Sequence, residues 1–101
     1  MIIVLAEIHK KSDAQKIAKA LLKQRIIACY SIWPVESAYW WKGKILDDKG
    51  TLMMLKTKEQ LFARVEEYIK KHSGYEVPEV IGIKADRVNQ TYLDWINSET
   101  K

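Results

Sequence analysis

The imidazole of His72, with the carboxylate of Glu76 four residues on and that of Glu79 three further, is the stretch best suited to hold a divalent cation. Imidazole nitrogen suits copper or zinc, and carboxylate oxygen can complete such a set. The same His72 also fits the last turn of a helix, where an imidazolium is stabilised by the macrodipole. Cys29 is the only cysteine and sits in an apolar run, the usual setting of a thiol acting as a small hydrophobe. His9, beside Lys10 and Lys11, has no acceptor nearby in sequence and reads as a surface loop residue. There is no CxxC, no HExxH and no pair of histidines at helical spacing. A second group is Tyr39, Trp41, Lys44, Lys56 and Tyr75, with Cys29 and Ser31. These residues fall on or near predicted strands, where they would line a cleft between subunits or lock an assembly by hydrogen bonds and ion pairs. Nothing resembles a nucleophile elbow, a phosphate-cradling glycine loop or a cysteine–histidine pair with an orienting third residue, so the chain reads as a non-enzyme.

The elements that must position these groups follow from periodicity. Residues 2–8 form a short apolar run bounded by His9-Lys10-Lys11, a strand buried on both faces. Ser12 with Gln15 has the form of a capping box, and Ala14, Ile17, Ala18, Leu21 and Leu22 then make one apolar helix stripe ending near Gln24 or Arg25. Residues 26–33 read as a strand bent at Pro34, which cannot donate to a ladder. Residues 37–41 continue it through Tyr39, Trp40 and Trp41, and Gly43 reverses the chain. On the return, Asp47-Asp48-Lys49-Gly50 has the chemistry of a bulge or second turn before the apolar run 51–56 resumes, giving a long, kinked hairpin. Thr57 with Gln60 repeats the capping box, and Leu61, Phe62, Val65, Tyr68 and Ile69 make a second stripe that stops by His72-Ser73-Gly74. Residues 80–85 form a last strand, and Asn89 caps a short final helix carrying Tyr92, Leu93, Trp95 and Ile96.

The β-α-β-β-α-β order predicts an α+β, ferredoxin-like sandwich with a short C-terminal helix, its two main helices on one face of a four-stranded antiparallel sheet. Apolar residues on both sides of the strands, and the aromatics Trp33, Tyr39, Trp40 and Trp41, exceed what one face of helices can cover. The bare face is expected to meet further copies of the chain, with the aromatics as interface anchors.

With 101 residues, 48% of them apolar and 30% charged, the chain is expected to be one soluble domain, residues 1–101. No run approaches the ~20 apolar residues of a membrane span, and no cleavable leader is visible. The lone cysteine fits a reducing compartment, so the expected location is the cytoplasm. The net charge of +4 comes from lysines scattered over predicted helix faces, which gives no clustered footprint for nucleic acid. An RNA-recognition reading of the same strand order fails because residues 2–8 and 51–56 carry no aromatics.

One resemblance spans the chain. Ala28-Cys29-x-x-Ile32-x-Pro34, Ser37-x-Tyr39-x-Trp41-x-Gly43-Lys44-Ile45, Leu55-Lys56-Thr57, Tyr75-Glu76-Val77-Pro78-Glu79-Val80 and Tyr92-Leu93-x-Trp95 resemble the CutA divalent-cation-tolerance family, and its archaeal-type members most. The resemblance implies a ferredoxin-like subunit in a tight homotrimer built through the long hairpin and the sheet edges. It also implies a link to tolerance of copper or another divalent cation, and a fold shared with PII-type signalling trimers. Ser31 stands where the family usually has Asn, and His72-Ser73-Gly74-Tyr75-Glu76 replaces a usual His-Pro-Tyr-Glu. The resulting expectation is a trimer that binds metal or a small anionic ligand at subunit junctions. The alternative is a PII-like or ACT-like small-ligand sensor.

Overall fold

The computed structural model describes residues 1–101. The elements run β1 (Ile2–Ile8), α1 (Lys11–Lys23), β2 (Cys29–Trp41), β3 (Lys44–Thr57), a 3₁₀ turn (Glu59–Leu61), α2 (Phe62–His72), β4 (Ile81–Lys84) and α3 (Gln90–Glu99). The sheet order is β2-β3-β1-β4, antiparallel throughout, which is the ferredoxin-like arrangement expected.

Register decides which residues face which way, because successive strand side chains alternate. Ile2, Val4, Ala6 and Ile8 on β1, and Thr51, Met53, Leu55 and Thr57 on β3, are buried toward the helices. There they meet Ala14, Ile17, Ala18 and Leu21 of α1 and Val65 and Ile69 of α2. The two apolar stripes are thus the ones the spacing predicts. The opposite face is only partly covered. Ile3, Leu5, Leu52 and Met54 are half-buried there, and Trp33, Ile81 and Ile83 are exposed. The first strand is therefore not covered on both faces within one subunit, since α1 and α2 pack on one side only. At one end of the open face α3 folds over, burying Ile96 outside the main core. Arg25 anchors it, donating to the Glu99 carboxylate at 3.0 Å and to the Glu99 carbonyl at 3.2 Å.

The β2–β3 hairpin runs unbroken from Cys29↔Lys56 to Trp41↔Lys44. Roughly 45 Å of strand accounts for the long dimension of a 45 × 26 × 22 Å molecule. Lys42 and Gly43 close it with φ of 50° and 79°. Positive φ at both central residues is what a two-residue turn needs to match the strand twist.

Four local expectations fail, and for residues 47–50 and Thr57 the reason is that long-range pairing outcompetes local signals. Residues 47–50 make no bulge or second turn, because Asp47, Asp48, Lys49 and Gly50 pair in register with Ala38, Ser37, Glu36 and Val35. Ser12 and Gln15 form no capping box, since α1 starts at Lys11 with no side-chain cap. Thr57 does not cap a helix either. It ends β3, and its buried hydroxyl donates to the Ile26 carbonyl at 2.6 Å, tying the strand to the segment entering β2. Asn89 holds the N-cap position of α3, but its side chain accepts no backbone N–H of the helix and instead donates to the Thr91 hydroxyl.

Candidate functional site

Beyond Pro34 and Thr51 the hairpin leaves the helices behind, and its open face looks toward the connector that follows α2. That connector is shaped locally. Gly74 takes φ +78°, and the Tyr75 N–H donates to Ser73 Oγ at 3.2 Å. The turn presents Tyr75, Glu76, Val77 and Glu79 to the strands, and a cleft of about 730 Å³ lies between the two. Tyr39, Trp41 and Leu46 form its strand wall, and Glu7 and Asp48 its acidic floor.

Glu7 reaches this cleft because of a glycine. It starts on β1, opposite Leu52, and crosses over β3 to accept a 2.8 Å hydrogen bond from the Ser37 hydroxyl on β2. Its path passes over Gly50, where a Cβ would stand 2.8 Å from Glu7 Oε2 and 3.2 Å from its Cγ. Gly50 is thus a gap that admits Glu7, although in sequence it reads as turn punctuation. Asp48 accepts from the Lys49 N–H at 2.8 Å and pairs with His9 at 3.6 Å. His9 therefore has a partner, supplied by a strand far away in sequence.

The electrostatics are one-signed. Glu7, Asp48, Glu76 and Glu79 line the cleft, with no lysine, arginine or histidine among its lining residues. Burial, then the charge of Glu7, holds the Glu79 carboxyl above its ordinary range. Burial, then Glu7, Asp48, Tyr39 and Glu79, raises the Tyr75 hydroxyl. In both, burial acts first and the neighbouring carboxylates push in the same direction. The carboxylates are dispersed, and nowhere in the subunit do three His, Cys, Asp or Glu side chains gather closely enough to hold a metal ion.

The structure divides the residues singled out from sequence. Tyr39, Trp41, Tyr75 and Glu76 come together in the cleft. Cys29, Ser31, Lys44 and Lys56 share the same sheet face but not the cleft. Lys44 sits beside the tip, opposite Trp41. Cys29 and Lys56 pair at the far end under α3, where Cys29 Sγ lies 3.3 Å from the Tyr92 hydroxyl and Lys56 Nζ lies 5.7 Å from the Tyr92 ring centre. Burial raises the Tyr92 hydroxyl, the hydrogen bond to Cys29 adds to this, and Lys56 opposes it. His72 lies elsewhere, stacked on Tyr68 at 4.1 Å in a shallow depression with Arg64 and Lys71. Within one subunit it does not share a cavity with Glu76. Sequence reading missed Glu7 and Asp48, whose only signal is a register set by distant strands.

Comparison with known proteins gives a consistent picture. The family model described as CutA1 divalent ion tolerance protein matches residues 2–99. The divalent-cation tolerance protein CutA of Pyrococcus horikoshii is 44% identical over 101 residues, covering 100% of this chain and 99% of that one. The structure of the periplasmic divalent cation tolerance protein CutA from Archaeoglobus fulgidus superposes with a TM-score of 0.97 at 31% identity, covering 100% of both chains. The PII-like protein CutA from Nostoc sp. PCC 7120, in apo form, superposes with a TM-score of 0.93 at 30% identity, covering 100% of this chain and 98% of that one.

Proposed function

This chain belongs to the CutA1 divalent ion tolerance family, and from that premise we propose that it works as a homotrimeric cation-responsive binding protein, with its ligand sites at the junctions between subunits. The observation that carries the reading is the cleft, a space of small-molecule size with carboxylates and no basic residue in its lining. It lies on a sheet face whose apolar residues one subunit leaves half-covered. Three copies joined through that face would bury Trp33, Ile81 and Ile83 and bring the hairpins together.

Copper or another divalent cation is the metal we assign, held where His72 of one subunit and carboxylates such as Glu76 of a neighbour converge, a soft-plus-hard donor set that no single subunit assembles. An anionic ligand is disfavoured at this cleft by its own charge. The role is binding and not catalysis: Cys29 has a tyrosine and a lysine beside it but no histidine base, His9 pairing with Asp48 and His72 stacking on Tyr68. The single free thiol supports a cytoplasmic location, although the Archaeoglobus relative is described as periplasmic.

Calorimetric titration with Cu²⁺ tests this, first on the unaltered protein and then on His72→Ala and Glu76→Gln. Saturable binding that both substitutions weaken supports the junction site. Identical curves remove His72 and Glu76 from it.

A PII-like sensing role is the second reading, favoured by the 0.93 TM-score with the Nostoc protein described as PII-like and by the size of the cleft. A thermal-shift screen of nucleotides and metabolites separates the two, because a ligand that prefers the folded assembly raises its melting temperature.

A further inference from the structure

We propose that the cleft between the distal hairpin and residues 74–79 binds a linear organic polycation, a di- or polyamine, in preference to a bare metal ion; the inference rests on reading that cleft as a ligand site and names the class of ligand. Size argues first. A metal ion needs oxygens converging within about 2.0–2.6 Å of one point, whereas this space is about 730 Å³, within the range of small-molecule sites. Arrangement argues next. The carboxylates are spread along the cleft, and no three gather as a metal would require. Charge distributed in that way complements a ligand whose ammonium groups are separated by methylene chains.

The walls suit the rest of such a molecule. Tyr39, Trp41 and Tyr75 line the cleft and supply aromatic rings for cation–π attraction to ammonium groups and apolar surface for the methylenes between them. The chain supplies its own example, since the Lys42 ammonium lies 5.7 Å from the centre of the Trp41 ring. On the connector side, Glu76 and Glu79 have no ion-pair partner in the subunit. Glu79 also holds its proton more tightly than an ordinary glutamate, through burial and the nearby Glu7, as expected of a carboxylate lacking a counterion. An ammonium there supplies the missing charge.

The test uses the full chain in its solution assembly. Spermidine is titrated by calorimetry with Trp fluorescence read in parallel, beside 1,8-octanediol as a neutral analogue and Cu²⁺ alone. Spermidine is expected to bind saturably and change the Trp signal, while the diol gives no heat. Glu79→Gln and Asp48→Asn should each weaken spermidine about ten-fold or more, the scale of a lost charge-assisted contact. Trp41→Leu should weaken it while leaving the circular dichroism spectrum unchanged. Spermidine that fails to bind, or binds equally to all variants, overturns the proposal. If spermidine is silent while Glu79→Gln abolishes a Cu²⁺ signal, the polyamine is wrong and the cation-binding cleft stands. If neither cation responds to the cleft substitutions, the cleft reading falls as well.

Discussion

Along the base of the long hairpin, Tyr30 and Ile32 of β2 and the alternate residues Thr51, Met53, Leu55 and Thr57 of β3 lie on the helix side, and Met53, Leu55 and Thr57 are fully buried. Beyond Pro34 the same two strands keep the same register, but one face meets only Glu7 and the connector 74–79 across the cleft and the other meets no helix, leaving Trp40 72% and Ile45 60% exposed. Backbone pairing is equal in both halves, so the difference lies in what meets the side chains. The base is where one subunit obtains its stability. The distal half contributes little to a lone subunit's fold, and its aromatic and acidic residues are free to serve neighbours and ligands.

Substitution of a single leucine or isoleucine in each half should separate them most widely. Leu55→Ala empties a fully buried site and is expected to cost about 2–5 kcal/mol. Ile45→Ala, at the exposed end, should stay within about 0.5 kcal/mol for the isolated subunit. Equal losses in denaturant unfolding would erase the distinction between the halves.

Gly50→Ala probes the boundary between them. A methyl there drives Glu7 from its place over β3 and from the Ser37 hydroxyl. The expected cost is about 1 kcal/mol, because the carboxylate can swing into solvent. Cation binding in the cleft should fall by more than stability does. Unchanged binding in calorimetry would show that Glu7 has no part in the cleft.

The smallest effect is that of pH. The Glu79 pKa lies above 4.5 in the folded chain, so the folded state binds more protons than the unfolded one in the window just above that value. This contribution is fully present below about 4.5, as for any acid of raised pKa, and is lost as pH rises through the folded-state value. Glu79 is exposed enough for solvent to screen most of it. Glu79→Gln should therefore give slightly higher melting temperatures at neutral pH and a flatter profile where the folded-state carboxyl titrates. A steeper profile reverses the sign. Tyr75, raised above 10.0, acts in the same direction at alkaline pH.

Where a residue's fate depends on its neighbours along one element, the sequence predicts it. The stripes Ala14, Ile17, Ala18, Leu21 and Val65, Ile69 are buried as their spacing requires, and Gly43 makes the turn that its place between aromatic and basic residues suggests. What depends on partners far away in sequence is hidden. Thr57 looks like a helix cap and is instead a strand end tied to Ile26, because a ladder bond and a buried hydroxyl outweigh a local cap. Asp47 to Gly50 look like a turn and instead lie in the ladder. The candidate site divides on the same principle. Tyr39, Trp41, Tyr75 and Glu76 carry local signals as strand aromatics and connector residues, whereas Glu7 and Asp48 enter only through the register of three strands. His72 is separated from Glu76 because α2 turns its last imidazole onto Tyr68.

The mass of the particle in solution is the most direct measurement of the central claim, that copies of this chain cover the sheet face and hairpin which one subunit leaves open. Light scattering at micromolar concentration should give three times the 11.8 kDa of the chain. A Trp40→Ala, Trp33→Ala double variant should dissociate at higher concentration than the unaltered protein while keeping its circular dichroism spectrum. A stable species at the mass of one chain would contradict the account.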